Sequence, residues 1–162
     1  VGSIATAARS FVYASAFVLL WWWVVSFARP LDSRIPLSLP HWARFPGLVI
    51  AGIGALVALW CIAAFTFVGR GTPAPFDAPR EFVAVGPYRF VRNPMYLGGA
   101  AVLFGAGLVL RSAAAFAVTI LFLLLAHGFV LAYEEPTLES RFGESYRRYK
   151  ASVNRWIPRR RR

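Results

Sequence analysis

Gly86-Pro87-Tyr88-Arg89-Phe90-Val91-Arg92-Asn93-Pro94-Met95-Tyr96-Leu97-Gly98-Gly99 is where the chain passes from polar to membrane-length apolar sequence. Arginines, prolines and tyrosines crowd the start of an uncharged run, Asn93–Leu110. A second polar cluster, Tyr133-Glu134-Glu135-Pro136, closes the next uncharged run, Ser112–Tyr133. Only Arg111 separates the two runs, which makes them an antiparallel hairpin with both polar ends on one side of a membrane. Ionisable groups at such a boundary are costly and usually functional, so a polar pocket is expected there.

Composition supports the membrane reading. Of the 162 residues, 58% are hydrophobic, and the mean hydropathy is +0.55. Few soluble domains carry so much apolar sequence. Four stretches lack Asp, Glu, Lys and Arg: Ser10–Ala28, Phe45–Gly69, Asn93–Leu110 and Ser112–Tyr133, with 19, 25, 18 and 22 residues. A helix needs roughly 20 apolar residues to cross a bilayer core. The expectation is an all-α integral membrane protein forming one domain over residues 1–162, with about four spans, the third marginal. The first segment exceeds the apolar core of a signal peptide and is read as a retained helix.

The net charge of +11 is concentrated near the end of the chain, where Arg141, Arg147, Arg148, Lys150 and Arg155 precede the run Arg159 to Arg162. The positive-inside rule places this tail in the cytoplasm, and four spans then place the N-terminus there too. Basic residues that flank membrane spans suit anionic lipid headgroups, not nucleic acid. The lone Cys61 excludes an intrachain disulfide, and His41 and His127 are too isolated for a metal site.

Residues 1–70 read as scaffold. Trp21, Trp22 and Trp23 face a neighbouring helix or lipid, and Gly47, Gly52 and Gly54 allow close helix approach. The linker from Gly71 to Pro79, with Pro73, Pro75 and Pro79, is too proline-rich for a helix. It leads into the Gly86-Pro87-Tyr88 motif and is a candidate pocket wall. Pro94 suits the first turn of the third helix, with Asn93 as its N-cap. Free N–H groups of that turn, the helix dipole and the charges of Arg89 and Arg92 would favour an anion. His127 and Glu134, seven residues apart, share a helix face. His127 is either a pocket-floor contact or a buried histidine satisfied by a carbonyl. On a continuing helix Glu134 and Glu135 diverge by about 100°, so that one can face a ligand while the other pairs with Arg92 or Arg89. Leu138, Phe142, Tyr146, Tyr149 and Val153 form a helical stripe on a basic segment, as in an amphipathic interfacial helix.

Three motifs in order carry a family resemblance: Gly-Pro-Tyr-x-x-x-Arg-Asn-Pro-x-Tyr-x-Gly from Gly86 to Gly98, Glu134-Glu135-x-x-Leu138, and Phe-Gly-x-x-Tyr-x-x-Tyr-x-x-x-Val from Phe142 to Val153 followed by Pro158. Together they resemble the superfamily of isoprenylcysteine carboxyl methyltransferases and phosphatidylethanolamine methyltransferases. Residues 93–96 and 133–136 look like the phospholipid branch; residues 142–153 look like the carboxyl methyltransferases, whose usual histidine is Asn93 here.

The resemblance implies S-adenosylmethionine as cofactor and a lipophilic methyl acceptor. The cofactor carboxylate suits Arg92 and the N–H groups after Asn93, and its ammonium suits Glu134. Its adenine suits Met95, Tyr96, Leu97 and the glycines from Gly98. Gly86, Pro87, Tyr88, Arg89, Pro94 and His127 complete the implied cofactor site. Arg92, Glu135 and Tyr96 are the candidate catalytic residues; Arg92 and Glu135 would orient the acceptor, and Glu135 would take the proton of an amine. Two other readings share parts of this pattern: an NADPH-dependent sterol or enone reductase, and a membrane scaffold without activity.

Overall fold

The computed structural model describes residues 2–35, 37–74, 77 and 79–159. Pro75, Phe76 and Ala78 of the linker and Arg160–Arg162 of the tail lie outside the described residues.

Among the described residues the regular structure is helical. Helix α1 spans Gly2–Ala28, α2 Arg44–Phe67, α3 Pro94–Leu110 and α4 Ala113–Phe129. Two short helices, α5 (Glu135–Phe142) and α6 (Glu144–Ser152), follow. Among the described residues, three segments are long and apolar enough to cross a membrane: Ile4–Ser33, His41–Phe67 and Ala113–Phe142. Helix α3, at 17 residues, is shorter and reaches roughly 26 Å at 1.5 Å per residue. It begins at Pro94, where a missing N–H costs nothing.

Helices α2 and α3 meet backbone to backbone. A Cβ on Gly54 would lie 2.6 Å from the Gly98 carbonyl oxygen, and one on Gly105 would lie 2.5 Å from that of Gly47. The glycines of α3 therefore serve helix contact, the membrane use of small residues. Against the other face of α3, Ala100 and Leu103 join Val25, Ala115, Val118 and Phe122 in the core. Trp21 stands edge-on to Phe122 at 4.9 Å, whereas Trp22 and Trp23 are exposed on the outer face of α1.

Two ends of the bundle are tied differently. At the Arg111 turn, Asp32 accepts from the Ala114 N–H at 2.8 Å and Ser112 from the Ala115 N–H at 3.0 Å, capping α4. Arg111 adopts the left-handed conformation and donates to the Leu39 carbonyl. At the opposite end, Arg9 pairs with Asp77 at 3.4 Å and Ser10 bonds Thr66. These contacts hold α1 to α2 and to the linker beneath the site.

The end of the last long helix departs from expectation in two places. A π-turn, Val130–Glu134, interrupts α4 just before Pro136, with the Glu135 N–H bonded to the Val130 carbonyl. Pro136 supplies no N–H and its ring crowds the carbonyl four residues back; the wider turn lets the helix run on through it. The amphipathic segment is also not one helix. Gly143, at φ 52° and ψ −123°, separates α5 from α6.

Candidate active site at the polar end of the hairpin

The hairpin delivers its polar residues to one cavity of about 100 Å³. Arg92, Asn93 and Tyr96 enter from the start of α3, and Phe129, Tyr133, Glu134 and Glu135 from the π-turn and its flanks. The linker supplies Pro73, Ala74, Pro79, Phe82 and Val83, as expected of a pocket wall. Thr72 holds that wall in shape: its N–H and hydroxyl both donate to the Asp77 carbonyl.

The apolar stripe Leu138, Phe142, Tyr146 and Tyr149 lines the cavity rather than lying flat on a membrane surface. The break at Gly143 permits this, since α6 can fold back. Phe82 is the hub of the resulting aromatic wall, 5.4 Å from Phe142, 5.9 Å from Tyr146 and 5.1 Å from Tyr149. The Tyr149 hydroxyl donates to the Tyr88 carbonyl at 2.6 Å. Burial pushes the Tyr146 hydroxyl up to about 12 and also raises those of Tyr88 and Tyr149. All three stay neutral at ordinary pH.

The electrostatic centre is Glu135. Its side chain is 7% exposed, and Arg92, at 9%, approaches it to 3.1 Å. Arg155 grips both carboxylate oxygens, Nε to Oε1 at 2.7 Å and Nη2 to Oε2 at 2.9 Å. Lys150 lies 3.8 Å away. This fork is the strong, oriented form of the guanidinium–carboxylate contact, and it raises the pKa of Arg155. With Arg155 on both oxygens and Arg92 and Lys150 beside them, Glu135 is held as an ion-paired carboxylate.

Two groups remain under-satisfied. Arg92 Nε and Nη1 are buried and lack a hydrogen-bond partner; the Nη1 contact with Glu135 is an ion pair without hydrogen-bond geometry. Glu134 accepts from the Tyr96 hydroxyl at 3.1 Å, and among the described residues no cation pairs with it. Buried polar atoms are nearly always partnered, and the bare donors of Arg92 belong to a residue that lines the cavity, whereas Trp21 Nε1 and Asp77 Oδ2, which also lack a hydrogen-bond partner, belong to residues outside its lining.

Several expected contacts are not made, or lie away from the cavity. Asn93 sits at the N-cap position without capping; its side-chain N–H donates to the Arg155 carbonyl at 3.3 Å instead. Met95 packs on the Cys61–Tyr88 cluster and Gly98 on Gly54, because both face α2. Leu97 and Pro94 are also absent from the cavity lining. Arg89 is exposed and pairs with neither glutamate. Pro87 is buried outside the lining, and Gly86 adopts φ +58° against Trp60, where a Cβ would meet the indole nitrogen at 2.8 Å. These two shape the loop that delivers Tyr88, which does line the cavity, its hydroxyl turned to the Cys61 thiol. His127 fits neither reading given it: it is exposed, away from the cavity, and accepts from Trp156 Nε1 at 3.1 Å. Arg155 and Trp156 were missed because they follow α6 in irregular chain, where no periodicity assigns a face.

Comparison with known proteins agrees with this arrangement. The phospholipid methyltransferase family model matches residues 42–145. The chain is 43% identical over 63 residues to an uncharacterized protein of Haemophilus influenzae, covering all of that protein and 39% of this chain. Its fold is similar to that of the eukaryotic intramembrane Ras methyltransferase, isoprenylcysteine carboxyl methyltransferase, with a TM-score of 0.65 and 20% identity over 89% of this chain. The chain spans 53% of that structure's length. Motif order, helical architecture and family match converge: the chain is an integral membrane protein that belongs to the phospholipid methyltransferase family.

Proposed function

We propose that this membrane methyltransferase uses S-adenosylmethionine and methylates a lipophilic acceptor that enters the cavity from the bilayer. One observation carries the reading: a buried arginine with free donors and a half-buried carboxylate that no cation pairs with, among the described residues, line the same cavity. That pair complements an amino acid zwitterion. Arg92 would hold the cofactor carboxylate and Glu134, steadied by Tyr96, the ammonium. The aromatic wall around Phe82 offers the apolar slot an adenine needs; this role passes to it from Met95 and Leu97, which face elsewhere.

When bound, the cofactor supplies an electrophilic methyl group on a sulfonium. The remaining task of the protein is alignment and exclusion of water. Glu135 balances the charge of Arg92 without hydrogen-bonding it, and Tyr96 steadies Glu134 on the other side. Phe129 and Tyr133, 37% and 46% exposed, line the cavity while standing on the outer face of the helix. Their stacked rings, 5.1 Å apart, would flank the lipid-side entrance of the acceptor. Positive charge at this end favours a cytoplasmic site and cytoplasmic termini, with anionic headgroups around the basic tail.

Calorimetry of the detergent-solubilised chain tests the cofactor. Binding of S-adenosylhomocysteine and none of NADPH is expected; tight NADPH binding instead overturns the assignment in favour of a reductase. Membranes incubated with methyl-labelled cofactor should yield a labelled lipophilic product in extracts. Arg92→Ala and Glu135→Ala should remove that label without unfolding the protein.

A further inference from the structure

The irregular chain after α6 holds the site from outside it. The Asn154 carbonyl accepts from the Arg92 N–H at 2.9 Å. The Arg155 carbonyl accepts from Asn93, and the Arg155 guanidinium holds Glu135. Trp156 stands edge-on to Tyr96 at 6.4 Å and donates to His127. Three consecutive residues thus contact Arg92, Asn93, Tyr96 and Glu135. None of the three lines the cavity itself.

The division of Glu135 between two arginines has a chemical consequence. A carboxylate offers two oxygens, and a guanidinium prefers to take both in a fork. Arg155 takes both. Arg92 is left with an ion-pair contact to Oε1, outside hydrogen-bond geometry, and its Nε stays bare in the buried site. Without Arg155, Glu135 would be free to turn both oxygens to Arg92 and quench the donors the ligand anion needs. We propose that Arg155 is a positioning residue that occupies Glu135 and so keeps Arg92 available to the carboxylate of the bound nucleoside amino acid.

This inference rests on the cofactor reading above, and the test separates the two. S-adenosylhomocysteine affinity is measured by calorimetry on the full chain in detergent for the wild type, Arg155→Ala, Arg155→Lys, Glu135→Gln and the doubles Arg155→Ala/Glu135→Gln and Arg155→Lys/Glu135→Gln. Loss of one charge-assisted contact corresponds to a weakening of about tenfold or more, and Arg155→Ala should show it. Arg155→Lys keeps the charge without the fork and should fall between. The decisive arm is the double variant: adding Glu135→Gln to Arg155→Ala should restore part of the lost affinity, because the competitor for Arg92 is gone. A merely structural Arg155 predicts the opposite, a double variant weaker than either single. If Arg155→Ala does not fold, the same comparison is made with Arg155→Lys and its double. Absence of wild-type binding overturns the cofactor reading and the inference with it. Wild-type binding with no rescue in the double overturns the inference alone.

Discussion

The α3–α4 hairpin has two polar ends, and they are built to different standards. At the Arg111 turn the donors and acceptors close on one another: Asp32 and Ser112 cap α4, and Arg111 reaches the Leu39 carbonyl. At the Asn93 end, Arg92 keeps bare donors and Glu134 has a neutral phenol as partner. Both ends contain an arginine and a carboxylate near a helix terminus, so composition does not distinguish them. Satisfaction does. A polar cluster that completes its own hydrogen bonds holds the fold; one that stops short waits for a ligand.

The contrast can be broken by substitution. The largest effect is expected for Arg92→Ala, a loss of methyl transfer of about a hundredfold or more, read in labelled membranes, with little change in melting temperature. Next comes Gly105→Val, which drives a side chain into the Gly47 carbonyl. It should cost about 1–3 kcal/mol of stability, seen as a lower melting temperature in detergent. Glu134→Gln should weaken S-adenosylhomocysteine by roughly tenfold, the scale of one charged hydrogen bond, and leave melting nearly unchanged. Asp32→Ala at the opposite end should do the reverse: about 1 kcal/mol of stability lost with the cap and unaltered affinity. His127→Ala should be smallest, an affinity change within about twofold, since an exposed residue outside the cavity touches no ligand. If Asp32→Ala weakens ligand binding as much as Glu134→Gln does, the distinction between the two ends fails.

Much of the frame was legible in the sequence because membranes constrain it tightly. Uncharged runs gave the long helices, Pro94 marked a helix start, and Arg111 marked the turn, so the polar clusters at 86–93 and 133–136 had to meet, with the pairing of either glutamate with Arg92 or Arg89 left open. The proline-rich linker was legible as a wall for the same reason, since it could not be helix and led straight into the motif. What escaped was local geometry. No pattern announces that Asn93 would turn its amide to Arg155 in place of capping, or that a π-turn would carry Glu134 and Glu135 past Pro136. The glycines of α3 were compatible with a ligand or a helix, and only the approach of α2 decides between them. Arg155 sat within a basic tail, and charge runs are usually solvated; its role depends on folding back by α6, which hinges on Gly143.

Asn154, Arg155 and Trp156 follow the four long helices in chain order. The hairpin that brings Arg92 to Glu135 is therefore complete in the chain before the residues that clasp it. Only when synthesis has passed the last span can the clasp close. A chain that stopped between α5 and Asn154 would keep the long helices and lack the contacts that finish its working end.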